Sequence, residues 1–305
     1  MSAIRIVKPP RPLGARIEGL DVNRDIDEIE LLLIEQVLYH NSFVAIGGQQ
    51  LDAAGMARFC ARLGKLHRNT TSPFCTPELP EVMVLSNMRD DEGRQLGAMD
   101  AGQDWHTDMS YNAVPGRLTA LHAHRVPVRD GIALGDTQFV DLYAVYESLP
   151  TDLRARLDDA VAVHDFHKYY DAALKAGSSR PPLTAEQRAM RPPVRHPMVG
   201  RHPVTGRKFL YANPGYATEI VGMDPQESQA VLQQLFALQT EPRFTYCHSW
   251  RCGDILIWDN WSTIHKATGD YRPDEHRYML RAQITSEGLR FGSDQQTTDS
   301  HGASV

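Results

Sequence analysis

Residues 253–265 read GDILIWDNWSTIH, and this stretch decides how the chain folds. The mostly apolar run at 254–258 predicts a buried strand, and Asp259-Asn260 predicts the turn that ends it. His265 follows shortly after this turn. The stretch therefore predicts a strand, a turn and a histidine in close succession.

The rest of the chain predicts more strands than a helical protein would have. Further strands are predicted at 42–46, 81–85, 117–126 and 277–285. Helices are predicted at 28–40, 51–63, 142–149, 150–157 and 224–238. The strands bracket the helices without βαβ alternation, and neither GxGxxG nor a P-loop occurs. This order argues against a Rossmann sheet and favours a β-sandwich or barrel decorated by helices.

Composition excludes several classes of protein. The 305-residue chain has a formal charge of −6, so it lacks the basic surface that non-specific nucleic-acid binding needs. Its four cysteines form no CxxC pair and no zinc-ribbon spacing. We see no secretory pattern and no apolar run long enough to span a bilayer, so we expect a cytoplasmic protein with free thiols.

Two polar segments, 86–104 and 169–193, are candidate lids over a site. The first has no periodicity, and the second is interrupted by glycines and proline pairs. Loops this long inside a compact domain are usually functional. We expect one catalytic domain over 1–292, followed by a disordered tail of small polar residues over 293–305.

The segment WHTD at 105–108 gives the first chemical signal. On a strand, His106 and Asp108 point to the same face, so they can present an imidazole and a carboxylate to one metal ion. His265 supplies the third ligand. Two histidines and one carboxylate leave three positions open on iron(II), which oxygen chemistry needs.

Arg277 and Arg281 lie four residues apart on the last predicted strand. Even spacing places both guanidiniums on one side, roughly 13 Å apart at about 3.3 Å per residue. Burying them is costly unless anionic ligands meet them, and the planar fork of arginine suits carboxylate, sulfonate or sulfate. Each signal alone has an ordinary alternative: a chance HxD, a satisfied core histidine, or solvated edge charges. The ordered set, HxD followed by a distant histidine and then two arginines at fixed offsets, is much less common by chance than any one of these signals.

The sequence resembles the taurine dioxygenase and 2,4-dichlorophenoxyacetate dioxygenase group, the TauD/TfdA family, over roughly 6–284. The matching stretches are WHTDMSY from Trp105, GDTQFVDLYAVYESLP from Gly135, HDFHKYY from His164, HPVTGRKFLYAN from His202 and GDILIWDNWSTIH from Gly253. The resemblance implies a mainly β fold with flanking helices and a double-stranded β-helix (jelly-roll) core. It also implies a dioxygenase that uses Fe(II), 2-oxoglutarate and O₂.

The resemblance also implies roles for individual residues. His106, Asp108 and His265 look like the iron ligands. Thr137 and Arg277 look like the clamp on the distal carboxylate of 2-oxoglutarate. A plain strand threonine remains the alternative for Thr137.

Three further residues match substrate-pocket positions of the family. Arg281 matches the position that holds the anionic group of acidic substrates, although it could instead pair with a local Asp or Glu. Phe166 and Tyr216 keep aromatic character where the family lines its pocket, and ordinary core packing is their alternative.

The chain departs from the taurine enzyme where that enzyme holds its small substrate. Asn69, Ser72 and Gly102 stand at matching positions, and residues 128–133 form an insertion. These changes make taurine doubtful and favour a larger or more apolar substrate with an anion anchor.

The sequence therefore predicts an enzyme that hydroxylates a small organic substrate bearing a sulfonate, sulfate ester or carboxylate. Where the attacked carbon carries a heteroatom, hydroxylation would cleave that bond. A zinc-type hydrolase on the same three ligands and a non-catalytic anion sensor are the alternatives. We expect no nucleic-acid or membrane partner, and the resemblance suggests a homo-oligomer, either a dimer or a tetramer.

Overall fold

The computed structural model describes residues 3–10, 13–69, 74–75, 78–99, 101–178 and 181–287. The predicted tail at 293–305 lies outside these residues. Across the described ranges, no helix combines the length and the apolar composition that a membrane crossing requires.

The strands are short, as in most antiparallel sheets. In chain order they are β1 (Arg5–Val7), β2 (Ala15–Glu18), β3 (Phe43–Ile46), β4 (Val82–Ser86), β5 (Gly116–Arg125), β6 (Val128–Arg129), β7 (Ile132–Ala133), β8 (Thr137–Asp141), β9 (Val161–His164), β10 (Val194–Pro197), β11 (Val199–Arg201), β12 (Lys208–Leu210), β13 (Ala217–Ile220), β14 (Thr245–His248), β15 (Ile255–Asp259), β16 (Thr263–Ala267) and β17 (Tyr278–Thr285).

The helices flank these strands. They are α1 (Glu28–Asn41), α2 (Ala53–Leu63), α3 (Leu142–Ser148), α4 (Thr151–Leu157), α5 (Phe166–Lys175), α6 (Ala185–Ala189) and α7 (Pro225–Gln239). Aspartates cap five of them, because carboxylates accept hydrogen bonds from first-turn backbone N–H groups at Asp27, Asp52, Asp141, Asp165 and Asp224. Such caps satisfy donors that have no partner inside the helix. The predicted helices at 28–40, 51–63 and 224–238 are thereby confirmed within two residues at each end.

Two of the five sheets formed by the described strands face each other. The large sheet has the order β1-β2-β3-β15-β5-β17-β4, and the small sheet has the order β14-β8-β16. Phe139 of the small sheet packs on Phe43 and Trp258 of the large sheet, with ring centroids 4.6 and 5.6 Å apart. This arrangement is the predicted jelly-roll core with flanking helices.

Strand β15 reads as a continuous apolar run because both of its faces are buried. Ile255 and Ile257 pack in a core cluster with residues of α1 and α2, whereas Leu256 and Trp258 pack in the cluster between the sheets. Alternate side chains of a strand point to opposite faces, so a strand covered on both sides has no polar side. The stretch that decides the fold is therefore the centre of the large sheet.

The candidate lid at 169–193 contains more regular structure than its glycines and prolines indicated. The helix α5 begins at Phe166 and runs into this segment, and α6 lies near its end. Neither helix contains a buried residue, and the glycines and proline pairs of the segment predict a loop instead. Residues 179–180 lie outside the described part.

Candidate active site

His106, Asp108 and His265 come together at one buried point between the sheets. Each offers one ligand atom, and these atoms lie within 4.8 Å of one another. His106 and His265 exchange backbone hydrogen bonds of 3.1 and 2.8 Å, so a bridge between 106 and β16 sets their separation. The segment 105–108 is otherwise not the predicted strand, because a turn with Met109 at φ 60° follows immediately.

Hydrogen bonds to neighbouring groups orient these ligands. His106 Nδ1 donates to the backbone oxygen of Asp104 at 2.7 Å, which leaves Nε2 as the free lone pair. Thr119 Oγ1 donates to Asp108 Oδ2 at 2.7 Å, and Asn260 Nδ2 donates to Thr119 Oγ1 at 3.0 Å. Asp108 is thus held by a chain of two side chains before any metal binds.

The protonation states suit metal coordination. Burial alone would raise the pKa of Asp108, but contact with His106 and the charges of His265 and Arg281 outweigh it and hold this pKa well below its ordinary value. Burial and the neighbouring His106 lower the pKa of His265 to about 3. At neutral pH the carboxylate is therefore ionised and the imidazole is neutral, which are the forms that coordinate metals.

Thr137 and Arg277 both contact Trp250. Trp250 Nε1 donates to Thr137 Oγ1 at 3.1 Å, and the guanidinium carbon of Arg277 lies 5.9 Å from the centre of a Trp250 ring. Gly135 makes room for Arg277, because a Cβ at this position would approach Arg277 Nε to 3.0 Å. Both residues implied for 2-oxoglutarate therefore contact one indole.

The Arg277 guanidinium is buried where an anion is expected. Its Nε has no hydrogen-bond partner, and burial lowers the pKa of the side chain, opposed by Tyr271 and Asp270. A buried cation is costly unless an opposite charge meets it. The geometry thus fits the distal carboxylate of a dicarboxylic acid.

Arg281 faces the interior beside the metal ligands. Its neighbours Leu280 and Ala282 pack on the helix side of the sheet, so alternation turns Arg281 inward. Its Nη2 lies 3.0 Å from Met83 Sδ, and its Nε is buried with no hydrogen-bond partner. No carboxylate of the described ranges forms an ion pair with it.

Four aromatic residues form a connected group of rings beside His106. Tyr169 and Tyr216 lie 5.4 and 6.3 Å from the His106 ring, centre to centre. Tyr111 lies 4.9 Å from both Tyr216 and Phe166. We call Tyr111, Phe166, Tyr169 and Tyr216 the aromatic wall. The predicted pocket residues Phe166 and Tyr216 both belong to it.

The departures from the taurine enzyme fall in different places. Gly102 lies beside a metal ligand: its backbone N–H donates to Tyr169 Oη at 3.2 Å, and a Cβ there would lie 3.4 Å from His106 Cε1. Asn69 is half-buried, and its backbone N–H donates to Pro80. Ser72 lies outside the described residues. The insertion at 128–133 forms the two-strand β6–β7 hairpin.

Sequence reasoning did not find several residues that shape the site. These are Asp104, Thr119, Tyr169, Trp250 and Asn260. They act on the ligands through backbone oxygens, hydroxyls or ring contacts, which carry no recognisable spacing. The matching stretches gave a signal for two of them, because HDFHKYY contains Tyr169 and GDILIWDNWSTIH contains Asn260.

Comparison with known proteins agrees with this geometry. The family described as "Taurine catabolism dioxygenase TauD, TfdA family" matches residues 6–283. Pentalenolactone F synthase from Streptomyces avermitilis is 33% identical over 288 residues, which cover 91% of this chain and 92% of that protein. The alpha-ketoglutarate-dependent 2,4-dichlorophenoxyacetate dioxygenase of Cupriavidus pinatubonensis is 28% identical over 294 residues, covering 93% and 99%.

One solved structure of the same fold contains a metal ion and a small organic ligand. AAD-2 in complex with Mn(II) and N-oxalylglycine superposes with a TM-score of 0.76 at 25% identity, covering 93% of this chain and 98% of that one. Because the family matches nearly the whole chain, the chain belongs to the TauD/TfdA dioxygenase family and is a 2-oxoglutarate-dependent dioxygenase.

Proposed function

We propose that this enzyme uses Fe(II) and 2-oxoglutarate to hydroxylate a small organic acid, either a sulfonate, a sulfate ester or a carboxylate. The observation that carries the proposal is Arg281, an inward-facing guanidinium beside the metal ligands that pairs with no carboxylate of the described chain. A substrate anion would supply the missing charge. Where the attacked carbon carries a heteroatom, the hydroxylated product would collapse and break that bond.

Iron(II) fits the donor set of His106, Asp108 and His265. Two neutral imidazoles and one carboxylate on one side leave open positions for small ligands, the arrangement of non-haem iron oxygenases. When bound, the metal supplies the activation of O₂. The protein keeps Asp108 ionised and His106 in one tautomer, so the ligands need no rearrangement to receive it.

Arg277 and Thr137 would hold the far carboxylate of 2-oxoglutarate. Arg277 offers a planar fork of donors, and Thr137 offers a hydroxyl held in place by Trp250. With that end fixed, the keto-acid end of the molecule is directed towards the three ligands. This contribution is positional, because a fixed orientation removes the entropy cost of bringing reactants together.

Arg281 would fix the anionic end of the substrate and thereby choose which C–H bond faces the metal. The aromatic wall would cover the body of the substrate and exclude water from the reacting centre. One relative supports an acid substrate, because its name contains an aryloxyacetate. No observation favours the zinc-hydrolase or anion-sensor alternative. We also propose a homo-oligomer, for which light scattering is the direct measurement.

The test is the visible spectrum of the protein with Fe(II), ascorbate and 2-oxoglutarate in the absence of oxygen. We expect a weak metal-to-ligand charge-transfer band that shifts when a substrate acid is added. After oxygen is admitted, succinate and hydroxylated acid should form in equal amounts. An iron-loaded protein that shows no band would refute the 2-oxoglutarate assignment. Turnover of an acid in the absence of O₂ would support the zinc-hydrolase alternative.

A further inference from the structure

A cavity of about 430 Å³ lies on the outer face of the large sheet. It is bounded by the loop 48–52, by the end of β5 at 122–124 and by residues 252–253. Leu121 and Ala123 of β5 pack between the sheets, so alternation places His122 and His124 on the opposite, outer face. The candidate metal centre lies between the sheets, and the cavity is therefore separate from it.

The cavity brings two imidazoles together. The ring centres of His122 and His124 lie 4.4 Å apart, with the ring planes at 64°. The corresponding distance between His106 and His265, the two histidines of the candidate metal centre, is 4.3 Å. Residues i and i+2 of a strand share one face. The strand β5 alone therefore supplies a pair of imidazoles with the separation found at the candidate metal centre.

His122 has one ring nitrogen that suits a metal ion. Its Nε2 donates to the backbone oxygen of Gln49 at 3.2 Å, which leaves the lone pair on Nδ1. That atom is buried, and no described residue forms a hydrogen bond with it. Burial lowers the pKa of His122, so a proton does not occupy this lone pair at neutral pH. Metal-binding histidines ordinarily donate their other ring N–H to a carbonyl or carboxylate in the same way.

Asp52 adds a negative charge to the same cavity. Burial lowers the pKa of His124, while a backbone hydrogen bond to Leu51 and the charge of Asp52 oppose that change. The carboxylate is thus close enough to act on this imidazole, and it would offset part of the charge of a dication. The loop that carries it is held across the cavity, because the Gln49 N–H donates to the Gly253 oxygen at 2.8 Å.

We propose that His122 and His124 bind a divalent late transition-metal ion, of the class of Zn(II), on the outer face of the large sheet. Imidazole nitrogens suit Zn(II), Ni(II) and Cu(II), whereas Mg(II) and Mn(II) favour oxygen ligands. In the described ranges, three ligand atoms lie within 4.8 Å of one another only at His106, Asp108 and His265. The second site would therefore use two imidazoles and complete its coordination with water. This inference does not depend on the proposed function.

Calorimetric titration of the metal-free protein, prepared without a histidine tag, tests the inference. Zn(II) should bind in two classes, one at the candidate metal centre and one at His122 and His124. Mg(II) at the same concentration should leave the second class unaffected. Anomalous diffraction at the zinc edge, from crystals grown with Zn(II), should show a peak between the two imidazoles.

Two variants and a control identify the ligands. His124→Asn removes one ligand at an exposed position, so the fold should be retained. Losing a supporting hydrogen bond to a metal ligand costs about 10–100-fold in affinity, so losing a ligand should weaken the second class at least about tenfold. His122→Gln should have the same effect, and it keeps an N–H donor for the Gln49 oxygen. His40→Asn, at an exposed histidine of α1, should keep both classes.

Three results would overturn the inference. One is a single class of Zn(II) sites in the wild-type protein that His265→Gln abolishes. Another is a second class that both His122→Gln and His124→Asn retain at wild-type affinity, which would place the ion elsewhere. The third is displacement of Zn(II) from the second class by an equal concentration of Mg(II). Failure of Zn(II) to bind at the candidate metal centre would concern that centre alone, because the variants at 122 and 124 report on the second class.

Discussion

We predict that Thr119 positions the Asp108 carboxylate of the candidate metal centre without being a ligand itself. Its hydroxyl donates to Asp108 Oδ2 and accepts from Asn260, so it fixes the direction of the carboxylate. Thr119→Val keeps the shape of the side chain and removes both hydrogen bonds. We expect the affinity for Fe(II) or Mn(II) to fall about 10–100-fold, the usual cost of losing such support. Competition against a chelator under anaerobic conditions measures this change.

Thr218 offers a matched control for that variant. Its hydroxyl donates to a backbone oxygen of β9 at 3.2 Å, away from the metal ligands. Thr218→Val should leave the metal affinity unchanged. If Thr119→Val also left it unchanged, the carboxylate would be held by other contacts.

Arg277 should determine the affinity for 2-oxoglutarate and little else. Arg277→Ala removes the buried guanidinium that we assign to the distal carboxylate. A hydrogen bond to a charged group is worth about 1.5–3 kcal/mol, so the 2-oxoglutarate concentration for half-maximal turnover should rise at least about tenfold. Initial rates at saturating substrate acid measure it. Arg243→Ala, on the surface, is the control. If Arg277→Ala left the 2-oxoglutarate concentration for half-maximal turnover unchanged, other residues would bind the distal carboxylate.

At the scale of single residues, the sequence predicted which three side chains come together, His106, Asp108 and His265, but not the residues that hydrogen-bond to them. HxD and the later histidine are each common by chance, and only their order together with the two arginines made the pattern specific. Thr119, Trp250 and Asn260 act across long stretches of sequence; Trp250, for example, bonds to Thr137, 113 positions away. A hydroxyl or indole with a distant partner leaves no local pattern, so only the three-dimensional arrangement shows its role.

At the scale of elements, the turn 202–206 holds the end of β15. His202 Nδ1 accepts from the backbone N–H groups of Val204 and Thr205 at 3.2 Å, and its Nε2 lies 2.8 Å from Asp259 Oδ2. Asp259 also accepts from Trp261 N and Ser262 Oγ, in the turn that leads to β16. One buried histidine therefore joins two turns, and the second turn precedes a metal ligand.

His202→Ala should destabilise the protein strongly, because it leaves the backbone N–H groups of Val204 and Thr205 without an acceptor and removes the imidazole beside the buried Asp259 carboxylate. We expect a loss on the order of 3 kcal/mol in the free energy of unfolding, measured by urea denaturation. Asp259→Asn and the double variant complete a cycle that isolates the coupling between the two side chains. Additive effects would show that the two turns are stabilised separately.

The elements themselves were predictable to different degrees. The helix α2 has a cap, a buried stripe and a glycine at its end, so its sequence specifies both ends. The helix α5 has no buried residue, and its amphipathic signal merges with the glycines and prolines that follow. The 105–108 segment was predicted as a strand from HxD alternation, but it makes a single bridge because its position is set by pairing with His265.

At the scale of the whole molecule, the order of the strands was beyond local reasoning. β15 lies between β3 and β5, which precede it by more than 100 residues, and both pairings are antiparallel. Hydrophobic pattern identifies a strand buried on both faces but does not name its neighbours. The jelly roll was predictable through the resemblance, which covers nearly the whole chain, and the local patterns alone gave only a sandwich or barrel.

Buried histidines make the stability of the whole molecule depend on pH. His164 is fully buried, and neither of its ring nitrogens has a hydrogen-bond partner in the described part of the chain. Burial, then His196 and Lys168, lower the pKa of His164 well below its ordinary value. Burial likewise lowers the pKa of His248 to about 4. Both side chains are therefore neutral in the folded protein at neutral pH.

In the unfolded chain both histidines bind a proton near pH 6.5, so the unfolded state gains protons first as the pH falls. The free energy of unfolding should therefore be highest above about pH 7 and decline as pH falls below 6.5, by up to about 1.4 kcal/mol per pH unit for each group. For His248 the decline ends near pH 4.

His164→Leu removes one such group and breaks no hydrogen bond to a described residue. Its free energy of unfolding should therefore match that of wild type at about pH 7.5 and exceed it at about pH 5. Urea unfolding of the metal-free protein measures both. His40→Leu, on an exposed part of α1, should keep the wild-type dependence, and an equal decline in His164→Leu would show that His164 is protonated in the folded state.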